Sequence, residues 1–225
     1  MTDPALPQAE LMNATYRHQR WIYDASRKYF LFGRDHLIRQ LDPPRAAHVL
    51  EVACGTGRNL QLIRRKHPDA ILYGLDISTE MLRSARAKLP DDVKLAPADA
   101  CDYEPATLFG RQQFDRIVLS FALSMIPDWS GALRASLRHL APGGSLHVVD
   151  FGTQDHLPGW FAHGLRRWLE KFHVTPRDTL SAELSELAGS MDIAVRAQAL
   201  YRGYAQYLVA TNTLSDTPSC LTERP

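Results

Sequence analysis

Residues 51–59 read Glu51-Val52-Ala53-Cys54-Gly55-Thr56-Gly57-Arg58-Asn59 and follow directly on an apolar run that begins at His48. Two glycines at a turn from strand to helix let the backbone approach a ligand closely. A nicotinamide-binding turn would carry a third glycine where this chain has Leu60, which weighs against a dehydrogenase. Acidic residues close the next two apolar runs. Asp76, with Ile77 beside it, ends the second run, where a carboxylate can accept hydrogen bonds from both hydroxyls of a ribose; Asp99, followed by Ala100, ends the third. Ser120 stands near the end of the fourth.

A second group precedes the first strand. Residues 16–30 read YRHQRWIYDASRKYF. Wound as a helix at about 100° per residue, they and the residues that follow gather Tyr16, Arg20, Tyr23, Arg27 and Arg34 on one side, with Trp21, Ala25, Tyr29 and Phe32 opposite. One side is suited to packing. The other presents rings and guanidinium groups to a ligand, although such residues also cover a domain surface or stack on one another.

Other chemistries find little support. Cys54, Cys101 and Cys220 are scattered, with no CxxC spacing and no companion His or acid signature, so buried small residues are the expected reading for the first two. The nine histidines never fall at HxxxH on one helical face, so no metal centre is expected.

The elements that must position these residues follow from the pattern of the chain. After Asp42-Pro43-Pro44 ends a short helical run, apolar stretches alternate with helical ones: HVLEVA, AILYGLD, VKLAPAD, FDRIVLS and SLHVVDF, with helices expected over 60–66, 79–89 and 130–140. Strands alternating with helices predict parallel βαβ units in a doubly wound α/β sheet. Residues 153–192 read as a helical insertion. IAVRAQAL and YAQYLVAT, separated by Tyr201-Arg202-Gly203, then predict an antiparallel strand pair at one edge, over 193–212.

With 225 residues, 45% apolar, one domain is expected. A formal charge of +1 supplies no global field for nucleic acid. The odd, unpaired cysteines suggest a reducing compartment. The first ten residues lack a signal-peptide pattern, and no stretch approaches the roughly 20 apolar residues of a spanning helix, so a cytoplasmic location is expected.

The order Glu51, Gly55, Gly57, Asp76, Asp99, Ser120 and then Leu140-Ala141-Pro142-Gly143-Gly144 resembles the class I S-adenosylmethionine-dependent methyltransferases over about residues 46–151. That resemblance implies a Rossmann-like sheet and S-adenosylmethionine as cofactor. It places Gly55 and Gly57 under the methionine part, Glu51 near it through water or the amino group, Asp76 and Ile77 at the ribose, Asp99 and Ala100 at the adenine, and Ser120 towards the methionine end. It also implies that an N-terminal segment, here 12–41, folds over the cofactor as a helical lid. The fourth strand lacks the Asp/Asn-Pro-Pro-aromatic ending that family members acting on nucleobase or glutamine nitrogens often carry.

Two stretches outside that core, Tyr16 to Ile38 and Phe172 to Asp178, look like the diacylglycerylhomoserine N-methyltransferases of bacterial betaine-lipid synthesis. This resemblance implies a lipid-linked amine as acceptor. Tyr16 and Tyr23 would line the transfer site, and His18 or His173 would take the proton. Arg20, Arg27 or Arg177 would bind the carboxylate. The residues leave open a phosphatidylethanolamine or small-amine methyltransferase, and a non-catalytic cofactor-binding module. In residues 160–172, Phe161, Leu165, Trp168, Leu169 and Phe172 fall on one helical face, which can contact a membrane surface or pack on its own domain.

Overall fold

The computed structural model describes residues 31–172 and 174–213. Seven strands form one sheet in the order β3-β2-β1-β4-β5-β7-β6. Their ranges are His48–Val52 (β1), Ile71–Asp76 (β2), Lys94–Pro97 (β3), Phe114–Ser120 (β4), Leu140–Phe151 (β5), Ile193–Leu200 (β6) and Ala205–Asn212 (β7). The first five are parallel, and β7 runs antiparallel between β5 and β6. The helices are Arg34–Gln40 (α1), Arg58–Lys66 (α2), Thr79–Arg86 (α3), Pro105–Phe109 (α4), Trp129–Arg138 (α5), Gly159–Glu170 (α6) and Leu180–Gly189 (α7).

Successive residues of a strand point to opposite faces, and here both faces are covered. Leu50, Val52, Ile117 and Leu119 pack on one side with α4, α5 and α7. Val49, Leu72 and Val118 pack on the other with α1, α2, α3 and α6. Burial on both sides explains why the parallel strands read as continuous apolar runs rather than alternating ones. The β6–β7 turn places Tyr201, Arg202 and Gly203 all at positive φ, the twist that a tight hairpin requires.

Several boundaries differ from the expectation. The helix expected over 79–89 ends at Arg86, because Lys88 and Leu89 both donate backbone N–H groups to the carbonyl of Ala85 and close a turn. Leu140–Gly144 is part of β5, and the pairing register with β4 slips there between Phe114 and Arg116. Helix α4, which sequence reading missed, is only 5 residues long, too short for a periodic signal, but has Pro105 at its start and Glu104 as its N-cap. Of the stretch 12–41, the part from Leu31 onward is described. Within it α1 buries Leu37 and Ile38 in the domain core.

The sheet order reverses at β1, since β2 and β3 lie to one side of it and β4 and β5 to the other. In open α/β sheets the crevice beyond the carboxyl ends of the strands at such a switch point is where ligands bind. Here the residues that leave β1 and β4, Ala53 and Phe121, both have left-handed backbones, with φ of 55° and 51°. Two non-glycine residues held in this region beside one crevice mark a backbone shaped by more than connectivity.

Candidate functional site

The crevice divides into two connected cavities that share Ala53 and Gly55. The first, of about 290 Å³, runs along the ends of β2, β3 and β4 and is lined by Asp76, Ile77, Asp99, Ala100, Phe121 and Ile126, among others. Apolar walls with a few carboxylates at the rim suit a flat aromatic ring attached to a sugar. The second, of about 400 Å³, lies over the glycine turn and reaches Glu51, Gly57, Asn59 and Ser120.

Asp76 organises the junction. Its Oδ2 accepts the backbone N–H of Gly55 and its Oδ1 that of Ser78, each at 2.8 Å. The glycine turn is thus tied to the end of β2, and Ser78 in turn caps α3 by accepting from the N–H of Met81. Asp99 is exposed and accepts the backbone N–H of Cys101 at 2.9 Å, which holds its carboxylate at the cavity rim.

Gly55 and Gly57 serve different ends. A Cβ on Gly55 would meet nothing within 4 Å among the described residues, so its bare backbone faces the cavity, whereas one on Gly57 would stand 2.6 Å from Leu89 Cδ1 and 3.1 Å from Ala85 Cβ. Gly57 therefore lets α2 and α3 close together, and Gly55 leaves room for a ligand.

Glu51 is buried at the base of the second cavity. Asn59 Nδ2 donates to its Oε1 at 2.6 Å. Burial pushes the Glu51 carboxyl up to about 8, against the opposing pull of the Asn59 amide and the Arg34 guanidinium. Its Oε2, Asn59 Oδ1 and Ser120 Oγ are buried with no hydrogen-bond partner among the described residues. Orphaned polar atoms around one cavity point to a ligand that supplies donors and acceptors of its own. A methionine-like tail, with its ammonium and carboxylate, has the chemistry to fill that role.

The rim of this second cavity is cationic: Arg34, Arg58, Arg65 and Lys88 all line it. Sequence reading had placed Arg34 among the ligand-facing residues of the opening segment but missed Arg58, Arg65 and Lys88. Single basic residues on α2 and in the turn after α3 carry no motif, and only the fold brings them round one opening.

Of the other expected site residues, Tyr16, His18, Arg20, Tyr23, Arg27 and His173 lie outside the described residues, as does Cys220. Arg177 is described. Its Nε and Nη2 donate to the carbonyls of Leu123 and Ile126, and its guanidinium lies 5.8 Å from the ring centre of Trp129. It thereby braces the loop after β4 that walls the first cavity. Cys54 is buried as expected, whereas Cys101 is only half-buried; burial and nearby carboxylates push Cys54 upward and Cys101 up to about 12, so neither is a ready nucleophile. No cluster that could hold a metal ion occurs among the described residues.

The comparisons agree with this arrangement. Residues 49–144 match the family model described as a methyltransferase domain. Over that stretch the chain is similar to methyltransferase domains. Trans-aconitate 2-methyltransferase of Azoarcus sp. (strain BH72) is 34% identical over 163 residues, 72% of this chain and 56% of that protein. Demethylmenaquinone methyltransferase of Listeria welshimeri is 30% identical over 132 residues, 56% of this chain and 54% of that one. The chain thus spans about half the length of these curated relatives. Among solved structures, a chain of the DhpI-SAM-HEP complex shares the fold with a TM-score of 0.65 at 22% identity, covering 93% of this chain and 99% of that one.

Proposed function

We propose that this chain transfers methyl groups from S-adenosylmethionine to the amine of diacylglycerylhomoserine. The observation that carries the acceptor class is the cationic rim of the second cavity, where Arg34, Arg58, Arg65 and Lys88 stand round the glycine turn. Such a field favours an acceptor that brings a carboxylate, as homoserine does. The resemblance of residues 16–38 and 172–178 to the betaine-lipid enzymes supports the amine and the lipid.

When bound, the cofactor supplies an electrophilic methyl group on its sulfonium. Asp76 would hold the ribose through the outer lone pairs of a carboxylate already fixed by Gly55 and Ser78. Asp99 would accept from the adenine amino group, and the Ala100 backbone would meet the ring. Glu51 and Ser120 would receive the polar groups of the methionine tail. The acceptor must arrive as a free amine, because an ammonium has no lone pair to attack with. Tyr16, Tyr23 and His173 remain the proposed residues at that transfer site, with Arg20, Arg27 and Arg177 proposed for the carboxylate. Arg177 would contribute through Nη1, because its Nε and Nη2 already donate to the carbonyls of Leu123 and Ile126.

A second reading rests on the relative from Azoarcus. A small polycarboxylate would also suit the cationic rim, with the methyl group passing to a carboxylate oxygen. Incubating the protein with S-adenosylmethionine and either diacylglycerylhomoserine micelles or trans-aconitate, and following S-adenosylhomocysteine by mass spectrometry, separates the two. The proposal expects turnover with the lipid; turnover with the acid alone overturns it.

A further inference from the structure

Of the five exposed large hydrophobic residues among those described, four lie at one edge of the molecule: Phe32, Trp160, Phe161 and Tyr201. That edge is defined by the carboxyl ends of the parallel strands. Tyr201 sits in the β6–β7 turn, and β7 begins opposite the end of β5, where Ala205 pairs with Phe151. Phe32 packs its ring on Tyr201 and Tyr204, with centroids 6.0 and 5.5 Å apart. The fifth, Ile71, is at the opposite end, where β2 starts.

Helix α6 lies along the same edge. Before it, Gln154 donates its backbone N–H to the carbonyl of Gly203; midway, Arg166 reaches the carbonyl of Thr153; after it, Thr175 donates to the carbonyl of Ser124. The apolar face, open from sequence to either membrane contact or packing, is mostly spent on packing. Leu165 and Leu169 are buried, and Trp168 and Phe172 stack on each other against the core. What α6 offers outward is its first turn, with Trp160 79% exposed and its ring against Phe161 at 5.8 Å. The exposed stripe running on from Trp160 carries Gly164, Arg167 and Lys171, with Glu170 at its border.

Isolated surface hydrophobics need no explanation. A tryptophan–phenylalanine tip beside basic residues, on the edge that holds the ligand crevice, has the composition of a bilayer contact: aromatic rings enter the headgroup layer while Arg and Lys meet anionic lipids. We infer that Trp160 and Phe161, backed by Arg167 and Lys171, seat this chain on an anionic bilayer with the crevice facing the lipid from which the acceptor is drawn. This inference rests on the lipid-acceptor reading above.

The test is cosedimentation of the full chain with vesicles of phosphatidylcholine alone and of phosphatidylcholine mixed with phosphatidylglycerol, for the unmodified protein, the double variant Trp160→Ala/Phe161→Ala and the double variant Arg167→Glu/Lys171→Glu. Binding of S-adenosylhomocysteine confirms that each variant is folded. The unmodified protein should bind the anionic vesicles more tightly than the neutral ones and release on added salt. Each double variant should bind the anionic vesicles at least about tenfold more weakly. Unmodified protein that ignores anionic vesicles at low salt, or variants that bind as well as it does, would overturn the inference. Turnover of a short-chain, water-soluble glycerylhomoserine tells the two claims apart. If it is methylated while vesicles are not bound, the acceptor reading stands and the membrane contact falls.

Discussion

Asn59 Nδ2 donates to Glu51 Oε1 at 2.6 Å, joining the first turn of α2 to the end of β1 beneath the glycine turn. Among the described residues the pair leaves Glu51 Oε2 and Asn59 Oδ1 without partners, unsatisfied polarity that a ligand can meet.

Burying Glu51 has a cost that depends on pH. An unfolded glutamate titrates near 4.3, whereas burial raises Glu51 to about 8. The native state therefore holds a proton that the unfolded chain releases over this range. The stability Glu51 contributes is present below about pH 4.3 and is lost as pH rises towards 8. Glu51→Gln cannot titrate. Its ligand-free form should match the unmodified protein at pH 5 and exceed it by on the order of 2 kcal/mol at pH 8, while binding S-adenosylhomocysteine more weakly. Chemical denaturation at the two pH values checks this; a gap that does not widen would place Glu51 in a wetter site.

The two glycines of the turn should fail in different ways. Gly57→Ala forces a Cβ against Ala85 and Leu89 at a left-handed backbone, and should cost about 2–4 kcal/mol of stability. Gly55→Ala meets no atom of the described residues within 4 Å and should cost only about 1 kcal/mol for its positive φ, yet weaken cofactor binding sharply. Thermal unfolding paired with calorimetric titration of S-adenosylhomocysteine measures both, and equal stability losses would contradict the division of labour.

Asp76→Ala removes the acceptor for two backbone N–H groups as well as the proposed ribose contact. Affinity for S-adenosylhomocysteine should fall by about 1–3 kcal/mol. Asp76→Asn keeps one oxygen for the backbone and should lose less. Unchanged affinity in the alanine variant would mean that the ribose lies elsewhere.

Much of this was legible in the chain. The parallel strands declared themselves as apolar runs because both sheet faces are covered, and Gly55, Gly57, Asp76 and Asp99 stood at strand ends because that is where the backbone turns towards the crevice. The rest depends on tertiary proximity. Nothing local marks Arg58, Arg65 and Lys88 as companions, since the first two stand on α2 and Lys88 in the turn after α3, segments that Gly57 allows to close together. The buried chain from Ser145 through His147 to Tyr207, at 2.9 and 2.7 Å, links two strands 60 residues apart and left no trace in either run. The aromatic tip at Trp160 was hidden for another reason. A helical wheel finds one apolar face, but it cannot say that Leu165 and Leu169 are covered while Trp160, outside that face, is bare.

If the rim binds the acceptor's carboxylate, Arg58→Ala should raise KM for the acceptor by about tenfold and leave kcat nearly unchanged, because a remote charge contact serves ground state and transition state alike. Steady-state kinetics at saturating S-adenosylmethionine reads the split. A fall in kcat with KM unchanged would put Arg58 at the reacting centre instead.

The account turns on which atom receives the methyl group. Diacylglycerylhomoserine taken to completion with methyl-deuterated S-adenosylmethionine, then treated with mild alkali and analysed by mass spectrometry, answers this directly. Nitrogen methylation predicts a homoserine headgroup that keeps all its label through the alkali, as far as the quaternary ammonium. Label lost on alkali treatment would reveal a methyl ester on the carboxylate, and would contradict the proposed reaction.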